Sequence, residues 1–418
     1  MENLHAQTNH SYKSVRMNAF FLDWRTQPKK HKTYPKFHQR FFIKDIQALQ
    51  GLDLIGKITF EKNYPDGVHT LRTNPSAGGL YPCEIYLQIR GVKGLLEGIY
   101  HYEPHAKALT LLHELTTDGV EYYFKNQSKQ TGIIALISSV YFRSSWKYKN
   151  RALRYIFLDS GHQLGAVYAA FCVMNQQQSI CFDFDKLTLN EQFGFRSDEM
   201  FTCSIQSCTL KEKKVLPLTL KLPYVSACDY HFTNSFIEEK YQQSALYEDE
   251  TIKALNFFDN IETQKLQNAI VNRRSIRAFN QVPMFKEEFE FIIENIFTFA
   301  SQHNITIFYT VHNVMGISQG LYEEKELKAQ GDFSKRSQYL SLEQNLGGQS
   351  AVTFYFTSNE EEKYQKVNIL SGFLAHIIYL KCELQSIGCS GIGAYYDQEV
   401  QGFLKTQNNI LYLLAIGR

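Results

Sequence analysis

The sequence has little imbalance of charge: 44 Lys and Arg stand against 42 Asp and Glu, a net of +2. A balance this even removes the broad electrostatic footprint that nucleic-acid and membrane-surface binding rely on, so no nucleic acid and no membrane is expected as a partner. Long apolar runs are also missing. The stretches 132–142 and 165–174 fall well short of the ~18 residues that cross a bilayer. The opening Met-Glu-Asn-Leu-His has no basic segment leading into an apolar one, so no signal peptide is expected. The eight cysteines are scattered, and none forms a Cys-x-x-Cys pair. That spacing argues against zinc, and no metal site is expected. A chain this long needs no disulfide staples, which points to reduced thiols and a cytoplasmic protein.

At 418 residues the chain exceeds one ordinary core and implies two domains or one duplicated unit. Its 26 Tyr and 31 Phe suit a planar ligand and plain cores equally. The most informative stretch is Asn74-Pro75-Ser76-Ala77-Gly78-Gly79-Leu80-Tyr81-Pro82. Two glycines, a short hydroxyl residue and two prolines make a stiff turn whose backbone can approach a flat ligand, though the same composition also makes an ordinary tight turn. Ile85, Leu87 and Ile89 then alternate as in a strand.

In chain order, residues 1–45 form a polar N-terminal extension, with Lys29-Lys30-His31-Lys32 read as a solvated basic run. Residues 46–60 read as a short amphipathic helix, followed by a loop at Pro65, Asp66 and Gly67. Strands are expected at 84–90, 98–102 and 107–112. The apolar segment 132–142 suits a helix or a strand, and 154–174 reads as a long packed helix in which His162 is a core residue or, less simply, a base. Pattern fades over 205–262. Beyond it come helices at 262–272 and 286–299, strands at 304–310 and 351–357 around a loop-rich 316–348, a long helix at 367–385, and a closing strand at 410–416. These readings place a first domain at 46–215, a connector at 216–261 and a second domain at 262–418.

A faint repeat joins the halves. Ser160-Gly161 and Ser371-Gly372 sit early in the two long helices, each preceded by a Lys-Tyr pair, Lys147-Tyr148 and Lys363-Tyr364. Phe182-Asp183-Phe184-Asp185 and Tyr395-Tyr396-Asp397 follow them. Repetition at this length implies duplication of a whole domain. The halves differ where chemistry would sit. Only the second carries Arg273-Arg274-Ser275-Ile276-Arg277, which can neutralise and donate to a phosphate, or form a solvated helix start. Gly388-Cys389-Ser390-Gly391-Ile392-Gly393 reads as a glycine-rich loop able to turn backbone donors toward an anion. Arg418 adds a terminal cation.

These residues together resemble the nitroreductase superfamily, and within it the azoline dehydrogenases, or SagB-type oxidases. The resemblance rests on 72–82, Gly98-Ile99-Tyr100-His101-Tyr102-Glu103-Pro104, 147–163, 273–279, 388–393 and Ile416-Gly417-Arg418, and spans about 50–205 and 265–418. It implies an α+β fold: two tandem nitroreductase-like domains, each a mainly antiparallel sheet packed by long helices, fused as an intrachain pseudo-dimer. It also implies FMN. In the family one subunit supplies the arginine grip and late glycine loop, and its partner supplies the turn. Carried over, Pro75, Ser76, Ala77, Gly78 and Gly79 line the ring. Arg273, Arg274, Ser275, Arg277 and Arg418 hold the phosphate, and Gly388, Cys389, Ser390 and Gly391 add donors.

Lys147 and Tyr148 match the family's proton-abstracting pair by context, with Lys363-Tyr364 as competitor and an idle surface pair as the plain alternative. The implied activity is dehydrogenation of a thiazoline, oxazoline or related small or peptide-derived substrate, with other biosynthetic enzymes as possible partners. NAD(P)H-dependent nitro or quinone reduction, or a non-catalytic flavin-binding or protein-interaction scaffold, stand as alternatives. The fused pair implies a monomer or a higher homo-oligomer. A separate peptide-docking domain is not found, since the first 45 residues are too few to make one.

Overall fold

Out of the glycine-containing turn the chain enters β1 (Cys83–Arg90), every residue of which is buried. The computed structural model describes residues 4–17, 22–64, 67–244, 251–253 and 256–418. Contacts divide the chain into two compact units: Asp23–Val271, the first unit here, and Met1–Leu22 with Asn272–Arg418, the second.

In the first unit β1 is followed by β2 (Gly98–Glu103), β3 (Ala108–Glu114) and β4 (Ser128–Val140). Helices α1 (Tyr141–Tyr148) and α2 (Ala152–Val173) come next, then β5 (Ser179–Cys181) and β6 (Glu199–Lys214). Their antiparallel order across the sheet is β3-β2-β1-β4-β6-β5, with short edge strands Arg40–Phe42 beside β3 and Thr251–Lys253 beside β5. One face of the sheet carries a core of Tyr86, Ile99, Leu136, Phe193 and Phe201.

The second unit repeats this plan. Strands β7 (Thr306–Val311), β8 (Gly320–Glu323), β9 (Glu326–Gln330) and β10 (Val352–Ser358) precede helix α3 (Tyr364–Leu384). Strands β11 (Gly388–Ile392) and β12 (Asn409–Gly417) close it. The order is β9-β8-β7-β10-β12-β11, again antiparallel throughout. Ser160 and Ser371 both bond back to the carbonyl one turn earlier, at Ile156 (2.6 Å) and Val367 (2.7 Å). Helix α3 has the length and hydropathy of a membrane span, but 89% of that window is buried. It is a core helix.

Several expectations change. Residues 46–60 form two 3-10 turns, Gln47–Leu49 and Leu52–Ile55, and then a strand from Ile58, because Gly51 takes a left-handed φ of 93° between the turns. The helix expected over 286–299 breaks at Asn295 (φ 64°). The region 316–348 holds β8, β9 and two short helices, Ser334–Leu340 and Asn345–Gln349. The start of the faded stretch, 205–214, is the outer half of β6, where Thr209, Leu210, Lys211, Lys213 and Lys214 are all exposed. Within 216–261 the helix Ser235–Ser244 is seen, while 245–250 and 254–255 lie outside the described residues, as do Pro65 and Asp66. The glycine-rich stretch is no loop: Gly388–Ile392 pairs as β11 with β12.

Lys32, read as part of a solvated run, is 1% exposed. Its ammonium pairs with Glu199 and donates to the Tyr86 hydroxyl (2.9 Å), so the buried charge is both paired and hydrogen-bonded. At the N-terminus, the His10 amide donates to Asp397 (2.7 Å) and His5 Nδ1 meets the Tyr364 hydroxyl (3.0 Å), both inside the second unit.

Candidate functional site

The turn is built from below. Asp159, on α2 and 3% exposed, accepts from the Ser76 hydroxyl (2.6 Å) and the Ala77 amide (3.1 Å). The Tyr81 amide donates to Ser76 Oγ (2.8 Å), closing a loop whose ends cannot drift apart. Gly78 and Gly79 both have φ of 64°, a conformation costly for any residue with a Cβ. Burial pushes the Asp159 carboxyl up to about 7, against the pull of the Ser76 and Ala77 bonds.

Lys147 and Tyr148 meet this turn from the end of α1. A Cβ on Gly78 would lie 2.6 Å from the Tyr148 hydroxyl and 3.3 Å from Lys147 Nζ. Lys147 Nζ also lies 4.9 Å from the Trp24 ring centre and 5.2 Å from that of Tyr148. Burial lowers its pKa, and no carboxylate pairs with it among the described residues. Helix α1 is fixed through Arg143, which donates to Glu84 on β1 (2.6 Å) and to the Tyr81 carbonyl (3.0 Å). Burial alone would push Glu84 up, but Arg143 and His101 outweigh it and hold the carboxyl well below its usual range.

An open cleft of about 840 Å³, lined in part by Trp24, His31, His69 and His105, shares Trp24 with this cluster. Another cavity, of about 820 Å³, lies by the C-terminal part of α2 and includes none of these residues.

The competitor pair sits differently. Lys363 is exposed, and Tyr364 is buried against His5. The second unit also lacks the α1 insertion, passing from β10 to α3 within five residues, 359–363.

In the second unit Ser275 pairs with Cys389 in an isolated parallel bridge. The Tyr379 hydroxyl takes up two of the expected donors, contacting Ser275 Oγ (2.9 Å) and accepting from the Gly391 amide (2.6 Å). Arg273 is buried, with its guanidinium 5.3 Å from the Tyr379 ring centre. Arg274 donates to the Arg273 carbonyl (2.7 Å). Arg277 is exposed and engages no partner among the described residues. Ser390 Oγ is buried with no hydrogen-bond partner. Gly388 and Gly391 allow close packing, since a Cβ there would collide with Ile276 and the Tyr412 hydroxyl. Arg418 forms an ion pair with Glu288 and donates to the Pro283 carbonyl (3.2 Å).

Thus Pro75 to Gly79 converge with Lys147 and Tyr148, and Ser275 converges with Cys389 and Gly391. Asp159, Trp24 and Tyr379 escaped sequence reading. Asp159 alone left a trace there, as the single carboxylate of the helical stretch 154–174.

The architecture is an α+β fold of the nitroreductase kind, laid down twice in tandem. A family model described as Nitroreductase family matches residues 270–418. The solved structure of a "putative nitroreductase" from Anabaena variabilis covers 100% of this chain and 99% of its own, with a TM-score of 0.81 and 21% identity. A "putative nitroreductase" of Methanocaldococcus jannaschii is 33% identical over 103 residues, 23% of this chain and 50% of that protein. The chain therefore spans about half the length of the curated relative it matches. The E. coli microcin synthetase McbBCD complex aligns over 49% of this chain and 89% of the matched one, with 12% identity and a TM-score of 0.32, too loose a likeness to argue from.

Proposed function

We propose that this chain is an FMN-dependent oxidoreductase that removes two hydrogens from a thiazoline, oxazoline or related small or peptide-derived substrate. The observation that carries the reading is the convergence of Lys147 and Tyr148 on Gly78. The residues fit a flavin. Both glycines of the turn are left-handed, and the position of a Cβ on Gly79 has nothing within 4 Å, which leaves backbone bare beside open space. Pro75 to Gly79 would line the ring. Within the second unit, Arg277 and the orphaned Ser390 hydroxyl, together with Arg273, Arg274 and Ser275, are proposed donors to a phosphate.

Bound FMN supplies a hydride acceptor. The protein's own task is the proton. Lys147 must be neutral to take it from carbon, and its lowered pKa, together with its lack of a carboxylate partner, favours that form. The Tyr148 hydroxyl, beside the same turn, passes it on. The Trp24 ring lies 4.9 Å from the amine.

Reconstitution with FMN followed by Lys147→Ala tests this. Flavin should stay bound while turnover falls roughly 10²–10⁴-fold, the range for losing a positioned base. A fully active variant removes Lys147 from the reaction. Arg277→Ala should weaken FMN binding about ten- to hundred-fold, as loss of a charge-assisted bond of roughly 1.5–3 kcal/mol does. The names of the relatives favour a second reading, NAD(P)H-dependent reduction of a nitro compound or quinone. Rapid bleaching of the flavin by NAD(P)H would select it.

A further inference from the structure

Ser76 has no proton free for a ligand. Its oxygen accepts from the Tyr81 amide (2.8 Å) and its proton goes to Asp159 (2.6 Å). The hydroxyl is therefore part of a lock, and the key member of that lock lies beneath the turn. We propose that Asp159 is a positioning residue that holds the turn against Lys147 and Tyr148 through Ser76, and that protonation of its carboxylate turns the Ser76 proton outward.

Geometry carries this. Asp159 is more than nine-tenths buried, and both groups that donate to it, the Ser76 hydroxyl and the Ala77 amide, belong to the turn. When Oδ2 gains a proton from solvent, it becomes a donor 2.6 Å from Ser76 Oγ. That oxygen has two lone pairs, so it accepts from Asp159 and from the Tyr81 amide together. Its own proton is then released to face away from Asp159, and the charge-assisted bond that clamped the turn becomes a neutral, weaker one. One proton is taken up, and no covalent bond other than O–H changes.

On β1, burial pushes the Cys83 thiol far up, with Asp159 adding to the effect. Arg72, at the end of the strand Gly67–Arg72, also acts on Cys83 and keeps its charge. Lys147 and Tyr148 stand across Gly78. Burial places the Asp159 exchange near neutrality.

The chain supplies its own reporter. Its two tryptophans, Trp24 and Trp146, pack edge to face at 5.6 Å, with Lys147 Nζ 4.9 Å from Trp24. Tryptophan emission of the FMN-free protein should therefore be followed from about pH 5.5 to 8.5, a window that brackets the Asp159 exchange. We expect an inflection near pH 7 in the native chain, none in Asp159→Asn, and an inflection moved to higher pH in Ser76→Ala, which lacks the bond that favours the carboxylate. An unchanged inflection in Asp159→Asn overturns the proposal. Should that variant fail to fold, an inflection unmoved by Ser76→Ala overturns it instead. The lock serves catalysis only if the function proposed above holds, but this measurement needs no flavin and no substrate, so the two fail separately.

Discussion

Gly78 and Gly79 share a φ of 64° but not a neighbourhood. A methyl on Gly79 meets open space, so Gly79→Ala should cost only the backbone term, roughly 1–2 kcal/mol. On Gly78 the methyl strikes the Tyr148 hydroxyl at 2.6 Å, so Gly78→Ala should cost more and displace Tyr148; denaturant unfolding of both variants measures the difference. Asp159 makes a pH prediction of definite sign. Its folded pKa is raised from 3.8 to about 7, so between those values the folded chain holds a proton that the unfolded chain has released. Stability should fall as pH rises through that window, and Asp159→Asn should flatten the decline, as thermal melts between about pH 4 and 8 would record. Neither the burial of Asp159 nor that of Lys32 is legible in sequence. A charged side chain goes inside only when distant residues supply its partners, here Ser76 and Ala77 for one and Glu199 and Tyr86 for the other.

Helix α1 is the element that separates the two units chemically. It follows β4 without a break and brings Lys147 to the turn, while the second unit moves from β10 to α3 with no such helix. Its anchor is the Arg143–Glu84 pair, both residues at most 2% exposed. Removing one partner of a buried pair leaves the other charged and unpaired, so Arg143→Met should lose about 3–5 kcal/mol, read by urea unfolding. Since the folded pKa of Glu84 is depressed, this contribution is present above its ordinary carboxylate range and disappears as pH falls through the folded value. The strands on either side of α1's sheet were legible because Ile85, Leu87 and Ile89 alternate and the turn before them cannot continue a strand. The polar residues between them gave no warning of burial: Glu84, Gln88 and Arg90 are all 2% exposed or less.

Across the whole molecule the chain order does not match the grouping of its contacts. Met1–Leu22 packs with Asn272–Arg418, held by His5 against Tyr364 and by His10 with Asp397. Asp397→Ala should therefore destabilise the second unit, and hydrogen exchange should show increased opening at residues 5–10 as well as at the helix Asp397–Leu404. The duplication was visible in sequence because each unit buries one long helix, and 154–174 and 367–385 are both long, largely apolar stretches with a Ser-Gly pair early in them. The faint repeat and the stiff turn were thus legible in local composition and spacing, whereas the α+β plan and a role for the Lys-Tyr pair were legible only through the family resemblance. Tertiary structure alone decided which groups meet. Long-range pairing puts Lys147 and Tyr148 beside Gly78, places a carboxylate under Ser76, and commits Arg418 to Glu288 and Ser275 and Gly391 to Tyr379. A hydrogen-bond partner a hundred residues away leaves no mark on the sequence around the residue it satisfies.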